Sequence, residues 1–199
     1  MFSVQYSVTE TRHLKPETFP MYELSLFILD LAQNSLSAGA SLIKVWLAES
    51  EKLNRLTVTV ADNGCGMEPE VLEKAIDPFM TTKTGREKEI GLGLPFFKQL
   101  VESCDGTFKI KSWPGTGTVV TGSYLHDHFD QPPIGKLEEI IFSLVAANPS
   151  VDFVFTRKTD EKSKYFDTRP VRKALAPDAE LIWQTKEVLD WFRRELDVS

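Results

Sequence analysis

Cysteine is scarce: the two in this 199-residue chain, Cys65 and Cys104, are too few for a disulfide framework or a cysteine metal set, and both read as free thiols. Long apolar runs are missing too, and no stretch approaches the length needed to cross a bilayer. The first residues, Met1-Phe2-Ser3-Val4-Gln5-Tyr6, lack the basic-then-apolar order of a secretory signal, so no membrane partner and a cytoplasmic location are expected. Nor is there a basic excess. With 23 Lys and Arg against 29 Asp and Glu, the net charge is −6 and the pI near 5.2, which argues against a surface that attracts nucleic acid as a whole. What is present, 42% hydrophobic and 26% charged residues, suffices for one substantial core, or a core with a small appended unit.

The most informative stretch is Asp62-Asn63-Gly64-Cys65-Gly66-Met67, which follows the alternating strand pattern of residues 56–61. A short carboxylate at a strand end can accept a hydrogen bond from an amino group. Glycines let backbone approach a flat ring, and a thioether can lie against it. The same residues also suit an ordinary turn. Upstream, residues 21–38 have helical period, with Leu24, Ile28, Leu31 and Ser35 on one stripe and Gly39 as the stop. Asp30 and Asn34, four apart, stand one turn from each other on a second face. There an amide oxygen can complete a Mg²⁺ shell made mostly of water and phosphate, and the carboxylate can orient or deprotonate a water; a solvated helix face is the alternative. Strands are expected over 41–48, 107–113 and 119–125, and a short helix over 69–76. Residues 77–90 carry hydroxyls and charges with little apolar period and read as a loop. Gly91-Leu92-Gly93-Leu94 then opens an apolar helix with Pro95 near its first turn, where bare N–H groups form an anion site or a simple cap.

Lined up in order, these pieces resemble the ATPase superfamily of gyrase-type topoisomerases, heat-shock-ninety chaperones, sensor histidine kinases and mismatch-repair MutL proteins. Asp30 to Ala40 resembles its N box, Asp62 to Met67 its first glycine box, and Asp77 to Lys83 the kinase-type phenylalanine box. Gly91 to Leu94 resembles the second glycine box and Gly115 to Thr118 the last. The resemblance implies an α/β two-layer sandwich, a mixed and mainly antiparallel sheet with helices on one face, binding ATP and Mg²⁺. It implies that Asp62 binds the adenine amino group, that Gly64, Gly66 and Met67 shape the base pocket, and that Gly117 and Thr118 support it. Asn34 would hold Mg²⁺, Gly91, Leu92, Gly93 and Leu94 the phosphates, and Phe79, Thr81, Thr82 and Lys83 would belong to a lid over residues 77–94. Lys83, Arg86 and Lys88 all remain candidates for the terminal phosphate.

Asp30 stands where hydrolysing relatives carry a glutamate, one methylene longer, so it is the catalytic candidate on a shortened arm. A self-contained histidine kinase would need an upstream two-helix hairpin with its phosphorylated histidine, which the residues before Met21 do not supply; His13, close to Pro16, reads as a surface residue. Three units are expected: a strand and connector at 1–20, the ATP-binding domain at 21–126, and a small α+β extension at 127–199. The extension should comprise a helix over 137–147, strands over 151–156 and 164–168, and a helix over 177–196. The expected function is an ATP-binding regulatory module acting on a protein partner, with protein kinase activity in view, or a slow ATPase switch that closes a homodimer. Nucleic acid is not an expected partner.

Overall fold

The computed structural model describes residues 23–77 and 93–175, together with Asp190 and Arg194. The expected strand before residue 20, the helix over 177–196, and Phe79, Thr81, Thr82, Lys83, Arg86, Lys88, Gly91 and Leu92 lie outside the described residues.

The elements in chain order are α1 (Leu24–Ser37), β1 (Leu42–Ser50), β2 (Arg55–Asp62), α2 (Pro69–Ala75), α3 (Gly93–Ser103), β3 (Thr107–Trp113), β4 (Gly117–Tyr124), α4 (Leu137–Ala147), β5 (Asp152–Lys158), β6 (Ser163–Asp167) and α5 (Thr168–Leu175). The strands form one sheet in the order β3-β4-β2-β1-β5-β6. Every neighbouring pair is antiparallel except β1 and β5, which run parallel with Val45 opposite Phe155. Strands β5 and β6 therefore continue the same sheet, entering beside β1 after the crossover through α4.

Period-two alternation decides which face is covered. On β2 Leu56, Val58 and Val60 are buried, and on β1 Ile43, Val45 and Leu47, while Lys44 and Trp46 between them are exposed. Helices α1, α3 and α4 lie over the apolar face, α1 packing between the other two. The stripe Leu24, Ile28, Leu31 and Ser35 is buried as its spacing requires. Gly39 at φ +74° ends α1, a backbone state that strains a side chain. Pro69 opens α2 at a position whose N–H needs no partner. Thr168 opens α5 instead of ending the strand, because its hydroxyl oxygen accepts the Phe153 N–H at 2.9 Å and turns the chain there.

Arg157 on β5 ties the layers together, its Nε donating to Glu49 Oε1 on β1 at 2.9 Å and its Nη1 to Glu138 Oε1 on α4 at 2.8 Å. All three side chains are largely withdrawn from water. Removing the cation leaves two carboxylates facing one another, so Arg157→Met is expected to cost about 2 kcal/mol. Urea unfolding measures it, and the loss should shrink when Glu138→Gln is added.

Candidate functional site

The end of β2 delivers Asp62 beneath α1, and three donors fix its carboxylate. Ser35 Oγ donates to Oδ2 at 2.8 Å, and the backbone N–H groups of Gly64 and Thr118 donate to Oδ1 at 2.9 and 3.3 Å. A carboxylate loaded this way is oriented before any ligand arrives, and it stays an acceptor. The following residue locks the loop to β1: Asn63 Oδ1 accepts the N–H groups of Ser41 and Leu42 at 2.9 and 2.8 Å, and its amide donates to Ser41 Oγ at 2.9 Å.

Beyond it the chain passes so close to the β3–β4 turn that only hydrogen fits. Gly66, at φ +64°, would place a Cβ 2.1 Å from the Trp113 carbonyl oxygen, and Gly117, at φ +135°, one 2.0 Å from the Asp62 carbonyl oxygen. Cys65 N–H donates to Ala38 O at 2.9 Å and Gly115 N–H to Cys65 O at 2.7 Å, so the loop is clamped between α1 and the turn. Met67 N–H donates to Ser112 Oγ at 2.8 Å, and Ser112 also meets Thr118 Oγ1 at 2.8 Å.

These elements enclose a cavity of about 330 Å³, within the range of small-molecule sites. Its walls are mainly apolar, with Leu31, Val60, Met67 and Val120 among them, and Asn34, Asp62 and Thr118 as polar points. Gly66 and Leu94 border it as well. Gly64 stands behind it against Ala38, and Gly117 behind Asp62. Gly93 lies over the helix next door: a Cβ there would be 2.8 Å from Asp30 Cβ, so the start of α3 sits beside Asp30. The structure thus brings together Asn34, Asp62, Gly66, Met67, Leu94 and Thr118, with Asp30 and Gly93 adjoining.

Asp30 keeps an exposed flank, yet burial of its carboxyl raises its pKa above the ordinary aspartate value. A raised folded value means that ionisation opposes folding: the penalty is absent below the unfolded pKa, grows as pH rises between the two values and is complete above the folded one. Asp30→Asn is therefore expected to raise the melting temperature at pH 7 by about a degree or two and to leave it unchanged near pH 3, in a scan of both proteins across pH. No side-chain hydrogen bond among the described residues holds the Asn34 amide. No group of three or more His, Cys, Asp and Glu suited to a metal occurs among them either, so a cation here would need oxygens from a ligand. No helix among the described residues is long and apolar enough to cross a membrane.

Sequence reasoning missed Ser35, Asn63 and Ser112. Ser35 had only one visible signal, a hydroxyl at a position the helical stripe sends inward.

A family model described as histidine kinase-, DNA gyrase B-, and HSP90-like ATPase matches residues 22–127. Among curated proteins, the tetrathionate sensor histidine kinase TtrS of Salmonella typhimurium is 30% identical over 115 residues, 56% of this chain and 19% of that protein. The sensor histidine kinase ZraS of the same organism is 32% identical over 120 residues, 59% of this chain and 25% of that protein. The chain thus spans about a fifth to a quarter of the length of these relatives. Among solved structures, the N-terminal domain of a DNA repair protein superposes with a TM-score of 0.54 at 15% identity, over 79% of this chain and 58% of that one, a likeness of fold.

Proposed function

This chain belongs to the histidine kinase-, DNA gyrase B-, and HSP90-like ATPase family, and from that premise we propose that its ATP-binding, histidine-kinase-like module uses Mg²⁺ and acts on a separate protein partner in the cytoplasm. The observation that carries the reading is the cavity between α1 and the β2 end, with a pre-oriented acceptor at its base and an amide and a helix start at its mouth. In this reading Asp62 accepts the adenine amino hydrogen, and Met67 lies against the ring. Thr118, held by Ser112, keeps the Asp62 carboxylate in place through its N–H. The ring's apolar faces meet Leu31, Val60 and Val120, which shed water on binding.

The triphosphate then extends toward the start of α3, which sits beside Asp30 and whose first N–H groups have no partner inside the helix. Pro95, in the first turn, forfeits an N–H that has no partner inside the helix. When bound, Mg²⁺ neutralises phosphate charge, and the Asn34 amide oxygen is its protein ligand, with phosphates and water supplying the rest. The set fits: a neutral amide without a side-chain partner among the described residues suits a cation already coordinated by an anionic ligand. Asn34→Ala should leave Mg²⁺-free nucleotide affinity unchanged and lose the gain that Mg²⁺ gives, about tenfold, measured by titration with and without the metal. An unaltered Mg²⁺ dependence would refute the assignment. Residues 77–94 and 127–199 serve in this reading as lid and partner-facing extension.

A second reading, a slow ATPase that switches a homodimer, is favoured by the raised pKa of Asp30, which moves a carboxyl toward the range of a general base. Incubation with γ-labelled ATP separates the two. Label on a partner protein supports transfer; free phosphate from the chain alone, abolished by Asp30→Asn, supports hydrolysis.

A further inference from the structure

The sheet has a second face that no described helix covers. Alternation and register place Lys44 and Trp46 of β1 there, with Thr156 opposite Trp46 on β5 and Tyr165 opposite Thr156 on β6. Trp46 and Tyr165, 51% and 62% exposed, thus stand in one row, about 10 Å apart across a threonine. In the other direction the row continues through Thr59, Thr121 and Lys109. The threonine hydroxyls of that pair meet at 3.1 Å, and Thr57 and Ser123 meet at 2.9 Å, so the middle of the face is a hydrogen-bonded, uncharged floor.

Charge on this face runs against the rest of the chain. Its strands carry the exposed cations Lys44, Arg55, Lys109, Lys111 and Lys158, and none of them has an ion-pair partner among the described residues. The carboxylates that the register sets on this face, Asp152 and Asp167, are each met by an arginine, Arg172 Nη2 at 3.4 Å and Arg169 Nη2 at 2.7 Å, and the Arg169 guanidinium holds the Asp167 pKa down to about 2, so they neutralise none of the five. In a protein of net charge −6, unpaired cations gathered beside exposed aromatics on one face are a local reversal of sign. Six strands of about seven residues span on the order of 600 Å², somewhat less than the roughly 800 Å² per partner of a standard interface.

We propose that this face docks an acidic, apolar-studded segment of a separate protein, with Trp46 and Tyr165 as anchors and Lys44, Lys109 and Lys111 as its charge partners. The aromatics supply contact area at small cost in side-chain entropy, and the lysines steer and orient. A protein segment fits better than a single nucleic-acid strand. Such strands follow a charged groove with bases stacked along it, whereas this face is a flat sheet surface and neither described cavity opens on it. A polyanion charged at every unit is also repelled by the acidic remainder of the chain more strongly than a short acidic segment is.

The site is separate from the nucleotide cavity, so the two readings fail independently. The full chain is titrated against a fluorescein-labelled peptide of alternating aspartate and leucine, a lysine–leucine peptide of equal length, and oligo-dT, with anisotropy as the readout. The aspartate peptide should bind saturably and about fivefold more weakly at 0.5 M salt than at 0.1 M. Trp46→Ser and, separately, Lys109→Glu with Lys111→Glu should each weaken it about tenfold, while affinity for an ATP analogue stays the same. Should Trp46→Ser fail to fold, the lysine pair carries the test alone. Equal binding of the lysine peptide, a preference for oligo-dT, absence of saturable binding, or self-association that Trp46→Ser abolishes would each overturn the proposal.

Discussion

Asp62→Asn is expected to weaken ATP binding about a hundredfold while leaving the fold intact. The reason lies in the count of donors around the carboxylate. Ser35 O–H, Gly64 N–H and Thr118 N–H all point at it, and the adenine amino group adds a fourth in the proposed complex. A carboxylate has acceptor sites for all four; an amide has one oxygen, and its NH₂ must face a donor whichever way it turns. Losing a hydrogen bond to a charged acceptor costs about 1.5–3 kcal/mol, and leaving a protein donor unpaired beside it adds to that. Calorimetric titration measures the change. Ser35→Ala should fall between, because it removes one support of Oδ2 and leaves the acceptor itself. An affinity for Asp62→Asn within threefold of the parent would remove Asp62 from the binding site.

Gly117→Ala is expected to unfold much of the population at growth temperature, at a cost of more than about 3 kcal/mol. A φ of +135° is a backbone state that side chains rarely adopt, and the new Cβ would lie 2.0 Å from the Asp62 carbonyl oxygen. The oxygen belongs to backbone and the Cβ position is fixed by the backbone, so no rotamer change relieves the clash; β2 and β4 must part where they hold the carboxylate. Thermal unfolding should show a fall of about 10 °C, with nucleotide binding lost in the fraction still folded. Gly115→Ala is the control. Its φ of +71° carries strain, but nothing lies within 4 Å of the added carbon, so its cost should stay near 1 kcal/mol. Equal losses at the two positions would show that the close approach at Gly117 is not what forbids a side chain.

Much of this layout was legible because its signals are local. The helical stripe from Leu24 to Ser35, the period-two strands and the glycine stops each follow from neighbours within a few residues, and the structure has them in place. What was illegible depends on distance along the chain. The parallel pairing of β5 with β1 joins residues more than a hundred positions apart, and no local pattern encodes which strand accepts the edge. Helix α5 was hidden because Tyr165, Phe166 and Thr168 favour strands, and Arg169-Pro170-Val171-Arg172-Lys173 lacks an apolar period. At the site, Asp62 and its glycines stood out by residue type. Their supports, Ser35, Asn63 and Ser112, are ordinary polar residues whose importance comes only from what the fold sets opposite them.

The central claim is that a fixed acceptor at the foot of this cavity selects a purine carrying an amino group. Titrating the full chain with ATP and with inosine triphosphate, which differs in bearing a 6-oxo group in place of the 6-amino group, tests it most directly. The account predicts saturable ATP binding and an affinity for inosine triphosphate about a hundredfold lower, since a carboxylate facing a carbonyl leaves two acceptors unpaired. Equal affinities, or no binding of either nucleotide, would contradict it.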